Sequence, residues 1–426
     1  RRSARDVRGL AQGSGDGATG NASFTYGFDD GRSFTERVQF HQMAEAYNED
    51  ALDRALQLAF FVIGTSYFKT FPTNNVVFLR SQPDDWQALF LSQVYGEGLS
   101  QFAYENNLRR EDLAQFSSQV VAQPAVSYDG AGILALQSGG KDSLLVATML
   151  QAKGLDFTPW YVTSSSTHPS VLDTLKAELV TATRMIDHPA LQQALSDGAL
   201  NGHVPVTYIV QSLALVQAIL LQKKQVLVSI AHEGEEPHAI IDDLAVTHQW
   251  SKTWQAEQLF ADYVARYISP DLLIGSPLRQ WSELKVAALF VEHAWHDYGH
   301  AFSSCNRANY QQGSDNSQLR WCGECPKCAN SYLLFAPFVE ASELIDIFGG
   351  QDLFEKPLLQ QTFMGLLGVN GVMKPFECVG EIDELRYAYA KARQRGGYGA
   401  VTFDVPESSF DPEMTYPSQE WATVLL

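Results

Sequence analysis

Ser138-Gly139-Gly140-Lys141-Asp142-Ser143 stands between an apolar run at 133–137 and the helical pattern LLVATMLQAKG. Glycines at a strand-to-helix turn let backbone N–H groups close on an anion. The helix that follows adds free N–H groups and the positive end of its dipole. Ser138 and Ser143 can offer hydroxyls to phosphate oxygens, and Asp142 can hold the Mg²⁺ that neutralises a polyphosphate. A Walker A loop is excluded, because Asp rather than Ser or Thr follows the lysine. An ordinary Gly-rich turn is the bland alternative. The second constellation is Cys305 with Cys322-x-x-Cys325-x-x-Cys328. Four clustered thiols in a reducing compartment favour metal over disulfides. The x-x spacings let neighbouring thiolates share one ion, so the expectation is a closed, structural Zn²⁺ site. An iron–sulfur cluster or free core cysteines are the competing readings.

Single residues carry weaker signals. His203, on the Asn201-Gly202-His203 turn, is a candidate general base or a turn cap. Asn201 caps that turn or binds a carboxylate. Cys378, outside the cysteine cluster, is a candidate thiol base or a core residue. Glu283 and Glu381 are possible bases or metal ligands, although carboxylates on helices usually face solvent.

The elements that must position these groups follow from periodicity. Residues 1–20 read as a flexible tail. Residues 21–115 read as a small α+β unit, with a hairpin around Asp29-Asp30-Gly31 and a helix from Asp50 to Gly64. From 116 to 335, strand candidates at Ile133–Gln137, Thr158–Thr163, Val226–Ile230 and Leu272–Gly275 alternate with helical stretches. Those helical stretches include Val171–Thr181, Val206–Gln222 and Glu257–Tyr267. Alternation of this kind predicts an α/β fold with a parallel sheet covered on both faces. Residues 336–426 read as mostly helical. The chain has 426 residues, 45% hydrophobic, and a net charge of −19. That charge repels phosphate backbones and argues against nucleic acid as a partner. Apolar runs such as Leu213–Leu221 are too short to span a membrane. No secretory pattern is visible, so a cytoplasmic protein is expected. Nothing in the sequence specifies an oligomeric state.

SGGKDS resembles the SGGxDS signature of PP-loop ATP pyrophosphatases, which cleave ATP between the α- and β-phosphates. The resemblance implies a HUP-like, adenine nucleotide alpha-hydrolase domain over 116–335. A comparable cysteine knuckle occurs in 7-cyano-7-deazaguanine synthases. Further stretches together are similar to one family, the UDP-N-acetylmuramoyl-L-alanyl-L-glutamate epimerases of bacterial cell-wall synthesis. They are GTSYFK (64–69), GLSQFAYENNL (98–108), GALNGHVPVT (198–207), HQWSK (248–252), SPLRQWSEL (276–284), SCNR (304–307), WCGECPKC (321–328) and PFECVGE (375–381). Where that family leads one to expect a Ser-Asn-Glu-like stretch, this chain has Ser229-Ile230-Ala231-His232-Glu233.

The resemblance implies an isomerase that uses ATP to invert the terminal L-Glu of a UDP-linked muramoyl dipeptide, releasing AMP and pyrophosphate. It implies ATP, Mg²⁺ and structural Zn²⁺ as cofactors. It makes Tyr67, Lys69, Asn201, Lys252, Arg279 and Arg307 candidate substrate contacts, since a diphosphate and carboxylates call for cations. Another PP-loop enzyme, of the tRNA-thiolating or deazaguanine type, and a non-catalytic ATP sensor stand as alternatives.

Overall fold

The computed structural model describes residues 2–12 as backbone, and 20–78, 82–118, 120–165, 167–241, 244–310 and 316–426. Its strands are β1 (Arg2–Gln12), β2 (Gly20–Gly27), β3 (Ser33–Phe40), β4 (Val76–Phe78), β5 (Ile133–Leu136), β6 (Phe157–Thr163), β7 (Val180–Met185), β8 (Gln225–Leu227), β9 (Ala239–Ile241), β10 (Leu244–Val246) and β11 (Leu273–Gly275). Among the described residues, nine form one sheet in the order β11-β8-β5-β6-β7-β3-β2-β1-β4. The half from β11 to β7 is parallel. β3 joins β7 antiparallel, with Phe40 opposite Ala182, and β2 and β1 continue that sense. β9 and β10 form a separate hairpin.

Strand periodicity divides the parallel half between two cores. Leu134, Trp160, Val226 and Val228 face one core. It is filled by the helices Glu49–Ile63, Val206–Leu220 and Trp254–Tyr263. Ile133, Ala135, Tyr161 and Leu227 face the other, packed by Lys141–Ala152, Glu283–His293, Pro326–Phe335 and Ile382–Arg395. The result is a mixed α/β three-layer molecule.

Both cores cross the boundaries expected from sequence. The hairpin β2–β3 extends the parallel sheet, and residues after 335 complete the second core. Two expectations are corrected. The stretch read as a flexible tail carries β1, paired to β2 and β4. Main-chain pairing requires no apolar pattern, so composition gave no sign of it; residues 13–19 lie outside the described residues. The helical stretch expected over 171–181 is a short 3₁₀ turn, Ser170–Thr174, followed by β7. Its alternating Val180, Ala182 burial is a strand pattern that the preceding apolar residues masked.

Candidate functional site

Ser138–Ser143 occupies the turn from β5 into the helix Lys141–Ala152. Gly139 has φ +77°, and a Cβ there would lie 2.5 Å from Leu319 Cδ1. The positive φ favours glycine there, and a side chain would also have to displace the Leu319 methyl. The two serines brace the loop: Ser143 Oγ accepts from the Ser138 N–H at 3.2 Å, and Ser138 Oγ from the Gly140 N–H at 3.3 Å. The first-turn amides of the helix have no intrahelical acceptor. β5 lies beside β8, and the helices that follow these two strands, Lys141–Ala152 and Trp254–Tyr263, pack on opposite faces of the sheet. Such a switch point opens a crevice beyond the carboxyl ends of the strands. The segments after β8 and β11, Ser229–Glu233 and Ser276–Ser282, form its further walls. They are held together by Ser276 Oγ, which donates to Ile230 O at 2.6 Å.

Charges of both signs are buried here. Lys141 Nζ lies 2.6 Å from both Asp142 Oδ1 and Glu283 Oε2. Burial raises the Asp142 pKa to about 6, against the pull of Lys141 and with the help of Glu283 and Glu233. Glu283 is not the solvent-facing carboxylate its helix position implied. It is 7% exposed, and Lys141 keeps it ionised against the cost of burial. Lys252 pairs with Glu233 at 3.2 Å. Burial opposes its charge, but Cys378, Glu233, Glu283 and Asp142 together hold its pKa above the usual lysine value. At the head of the loop, buried Gln137 has neither side-chain amide atom paired among the described residues, and Ser229 Oγ is likewise unpaired. Ala135 pairs with Leu227, so continuing that register places Gln137 beside Ser229 on the face of the second core. Unpaired buried polar atoms are costly, and a bound polar ligand would satisfy them.

A second cluster adjoins the first through Lys252. His203 and His248 pack ring against ring at 4.6 Å. Burial, then Lys69, lowers His203 to about 4. Burial, then His203, Lys327, His238 and Lys252, lowers His248 to about 2. Lys69 Nζ donates to Gly202 O at 2.8 Å, and burial lowers it to about 8. Asn201 is exposed; its Oδ1 accepts from the Gly202 N–H and shapes the turn. Cys378 Sγ receives the Gln249 amide N–H, and the Cys378 carbonyl accepts from Lys327 Nζ at 2.6 Å. Thus Asp142 of the loop, Lys252 and Cys378 neighbour one another, and Lys252 joins them to His248, His203 and Lys69, across some 300 positions of sequence.

Two expected substrate contacts lie in the core, and a third, Arg307, is paired on the surface segment that borders the loop through Ser303 and Tyr310. Tyr67 is fully buried in the first core, where it donates to Glu36 Oε2 at 2.9 Å and stacks on Tyr26 and Phe34. Arg279 is also fully buried. It binds Glu257 at 2.8 Å and donates to the Ala231 carbonyl, so it shapes the crevice wall from behind. Arg307 pairs with Glu324 at 3.0 Å on the surface beside the cysteines. Glu381 borders His232 at 3.6 Å, and burial raises it to about 7. Single-residue reading passed over His248, Gln249, Glu233 and Lys327. The available signal was the place of His248, Gln249 and Lys327 in the HQWSK and WCGECPKC stretches and of Glu233 in the stretch 229–233.

Cys305, Cys322, Cys325 and Cys328 bring four Sγ atoms within 4.8 Å of one another. Neighbouring sulfurs are 3.5–3.6 Å apart. A tetrahedron of thiolates around one ion at about 2.3 Å has edges of about 3.8 Å, so the four fit a single ion such as zinc. A multi-iron cluster spreads its thiolates over separate irons, and the four are too close for that. The tight turn depends on Gly323, at φ +65°, where a Cβ would lie 2.6 Å from Phe348 O.

Comparison with known proteins identifies the family. The chain matches the MurL N-terminal domain over residues 6–273 and the MurL C-terminal domain over residues 301–402. It is 35% identical over 387 residues to the UDP-N-acetyl-alpha-D-muramoyl-L-alanyl-L-glutamate epimerase of Xanthomonas oryzae pv. oryzae, covering 89% of this chain and 84% of that protein. It is 32% identical to the protein of the same name from Salinispora tropica, over 93% and 88% of the two chains. With the one from Micromonospora sp. the identity is 33%, over 86% and 82%.

Proposed function

The chain belongs to the UDP-N-acetyl-alpha-D-muramoyl-L-alanyl-L-glutamate epimerase family, and from that premise we propose that it inverts the terminal L-Glu of UDP-N-acetylmuramoyl-L-alanyl-L-glutamate to D-Glu for peptidoglycan synthesis. On this reading the α-carboxylate of the glutamate is first adenylated, with ATP cleaved to AMP and pyrophosphate in the cytoplasm. An α-proton beside a free carboxylate is barely acidic, because its removal builds a dianion. Adenylation removes that charge and brings the proton within reach of an ordinary side-chain base.

The observation that carries the proposal is the loop at the β5–β8 switch point, contiguous with a cluster of lysines, histidines and a thiol. That position supports assigning the parallel half of the molecule to the PP-loop class. The braced loop and the first-turn amides fit the polyphosphate. Asp142, raised by burial towards neutrality, gains most from a cation, and Mg²⁺ held there would neutralise phosphate charge. Lys69 and Lys252 offer cations to the substrate's acidic groups, and His203 and Cys378 stand beside them. The cysteine knuckle, filled by zinc, would clamp the start of the helix Pro326–Phe335 and serve the fold rather than the chemistry.

The test is an assay in D₂O with ATP, Mg²⁺ and the L-Glu nucleotide dipeptide. AMP, pyrophosphate, the D-Glu epimer and deuterium at the α-carbon are expected. ADP as product, or AMP without α-exchange, would refute the reading.

A further inference from the structure

We propose that His248 and Cys378 are the two proton-transfer residues of the epimerisation, one for each face of the substrate's α-carbon; the assignment rests on the functional reading above. The tautomer of His248 is fixed by its surroundings. Its Nδ1 lies 2.6 Å from Gln101 Oε1, and Gln101 Nε2 donates to Glu105 Oε1 at 2.7 Å, which holds the amide oxygen towards the ring. An amide oxygen only accepts, so Nδ1 carries the proton and Nε2 the lone pair. Among the described residues no hydrogen bond engages Nε2. The ring of His203 packs on His248, and Lys69 reaches the carbonyl of Gly202 next to it. His203 is thereby a positioning residue, and the imidazole that presents an open lone pair is its neighbour.

Cys378 is held from the same short segment. Gln249, the residue after His248, donates its amide N–H to Cys378 Sγ, while the Gln249 Oε1 is buried without a partner among the described residues. Lys327 pins the Cys378 carbonyl, and a thiolate formed at Cys378 would be drawn to the charge on Lys252. Lys252 in turn faces Glu233, Glu283 and Asp142 of the nucleotide loop. The thiol and the imidazole therefore border one crevice, beside the place where the substrate carboxyl would be adenylated. A thiolate left there is met by an amide N–H and an ammonium group.

The proton count closes. His248 Nε2 takes the α-hydrogen as a proton, and the C–H electron pair moves into the adenylated carbonyl as an enolate. The Cys378 S–H then gives its proton to the opposite face of that carbon, leaving a thiolate near Lys252. Imidazolium and thiolate return to imidazole and thiol by passing one proton through solvent. No oxidant or reductant enters.

The experiment uses the full chain in D₂O with ATP, Mg²⁺ and, separately, the L-Glu and the D-Glu nucleotide dipeptide. Pyrophosphate release, epimer ratio and α-deuterium are measured for the wild type, Cys378→Ala and His248→Asn. Both variants should keep pyrophosphate release within about tenfold and lose interconversion by about 10²-fold or more, the usual contribution of a positioned acid or base. Cys378→Ala should still exchange the α-hydrogen of the L-epimer only, and His248→Asn that of the D-epimer only. Interconversion above a tenth of wild type in either variant overturns the assignment, as does exchange that is symmetric or reversed. If pyrophosphate release collapses, Cys378→Ser and His248→Gln repeat the test, and collapse in these too overturns it. A wild type that releases no AMP with the dipeptide instead removes the functional reading beneath the assignment.

Discussion

The cysteine knuckle and the crevice above β5 are both polar sites set into apolar cores, and they are built in opposite ways. Three of the four knuckle ligands fall within seven residues, and the fourth is 17 positions upstream. Each presents the same atom to one point, so a single ion satisfies the set. In the crevice, Lys141, Asp142, Glu233, Lys252 and Glu283 are of mixed sign and come from four separate segments. Around them, polar atoms of Gln137, Ser229 and Gln249 are unmatched among the described residues. A closed site spends its binding energy on the fold. An open one keeps unsatisfied groups for something that arrives and leaves.

The contrast is broken most sharply at the knuckle. Thiolate–metal bonds in small sites contribute on the order of 10 kcal/mol of folding energy. Cys328 is fully buried at the start of the helix Pro326–Phe335, against Tyr332 and Leu333 of the second core. Cys328→Ala should abolish stoichiometric metal, measured by elemental analysis, and lower the melting temperature by well over 10 °C, with every activity lost alongside. A variant that loses its metal but melts like the wild type would make the knuckle as dispensable to the fold as the crevice.

The second effect should leave the fold alone. Asp142→Asn keeps the shape of the loop and removes the charge available to a cation. Pyrophosphate release should fall by about 10²–10³-fold, the scale of losing one preorganised electrostatic contact. Metal content and melting temperature should stay close to wild type, because Lys141 retains Glu283 as its partner. Knuckle and crevice would then be separable by two measurements on two variants. Loss of metal in Asp142→Asn would deny that separation.

The same contrast explains what the sequence revealed. The knuckle and the glycine loop are local, and residue type at fixed spacing carries their geometry: Gly139 and Gly323 have the left-handed φ that their turns demand. Burial of a charge is not local. Arg279 reads as a free cation until Glu257, 22 positions earlier, is found 2.8 Å away. Glu283 reads as a first-turn helix acid until Lys141 meets it from 142 positions away. Tyr67 looked like part of a substrate motif and proves to fill the first core beneath Glu36. His248 was hidden for the same reason: its tautomer is set by Gln101, 147 residues distant. The strand β1 was hidden for another, since its pairing is made by backbone alone.

The smallest predicted effect sharpens the comparison through acid. His203 and His248 are kept neutral in the folded chain at about 4 and about 2, chiefly by burial, whereas an unfolded histidine titrates near 6.5. Between those values the unfolded chain binds more protons than the folded one. Folding stability therefore rises with pH across that window and is lost as pH falls below about 6.5. At pH 5 each histidine should cost on the order of 1–2 kcal/mol relative to pH 7.5. Urea melts of the wild type and of His203→Asn at the two pH values isolate this share. The variant should lose less stability on acidification by about that amount, with its metal content unaltered. Equal losses in the two proteins would mean that His203 is already protonated in the fold, and that the crevice is wetter than its packing against His248 implies.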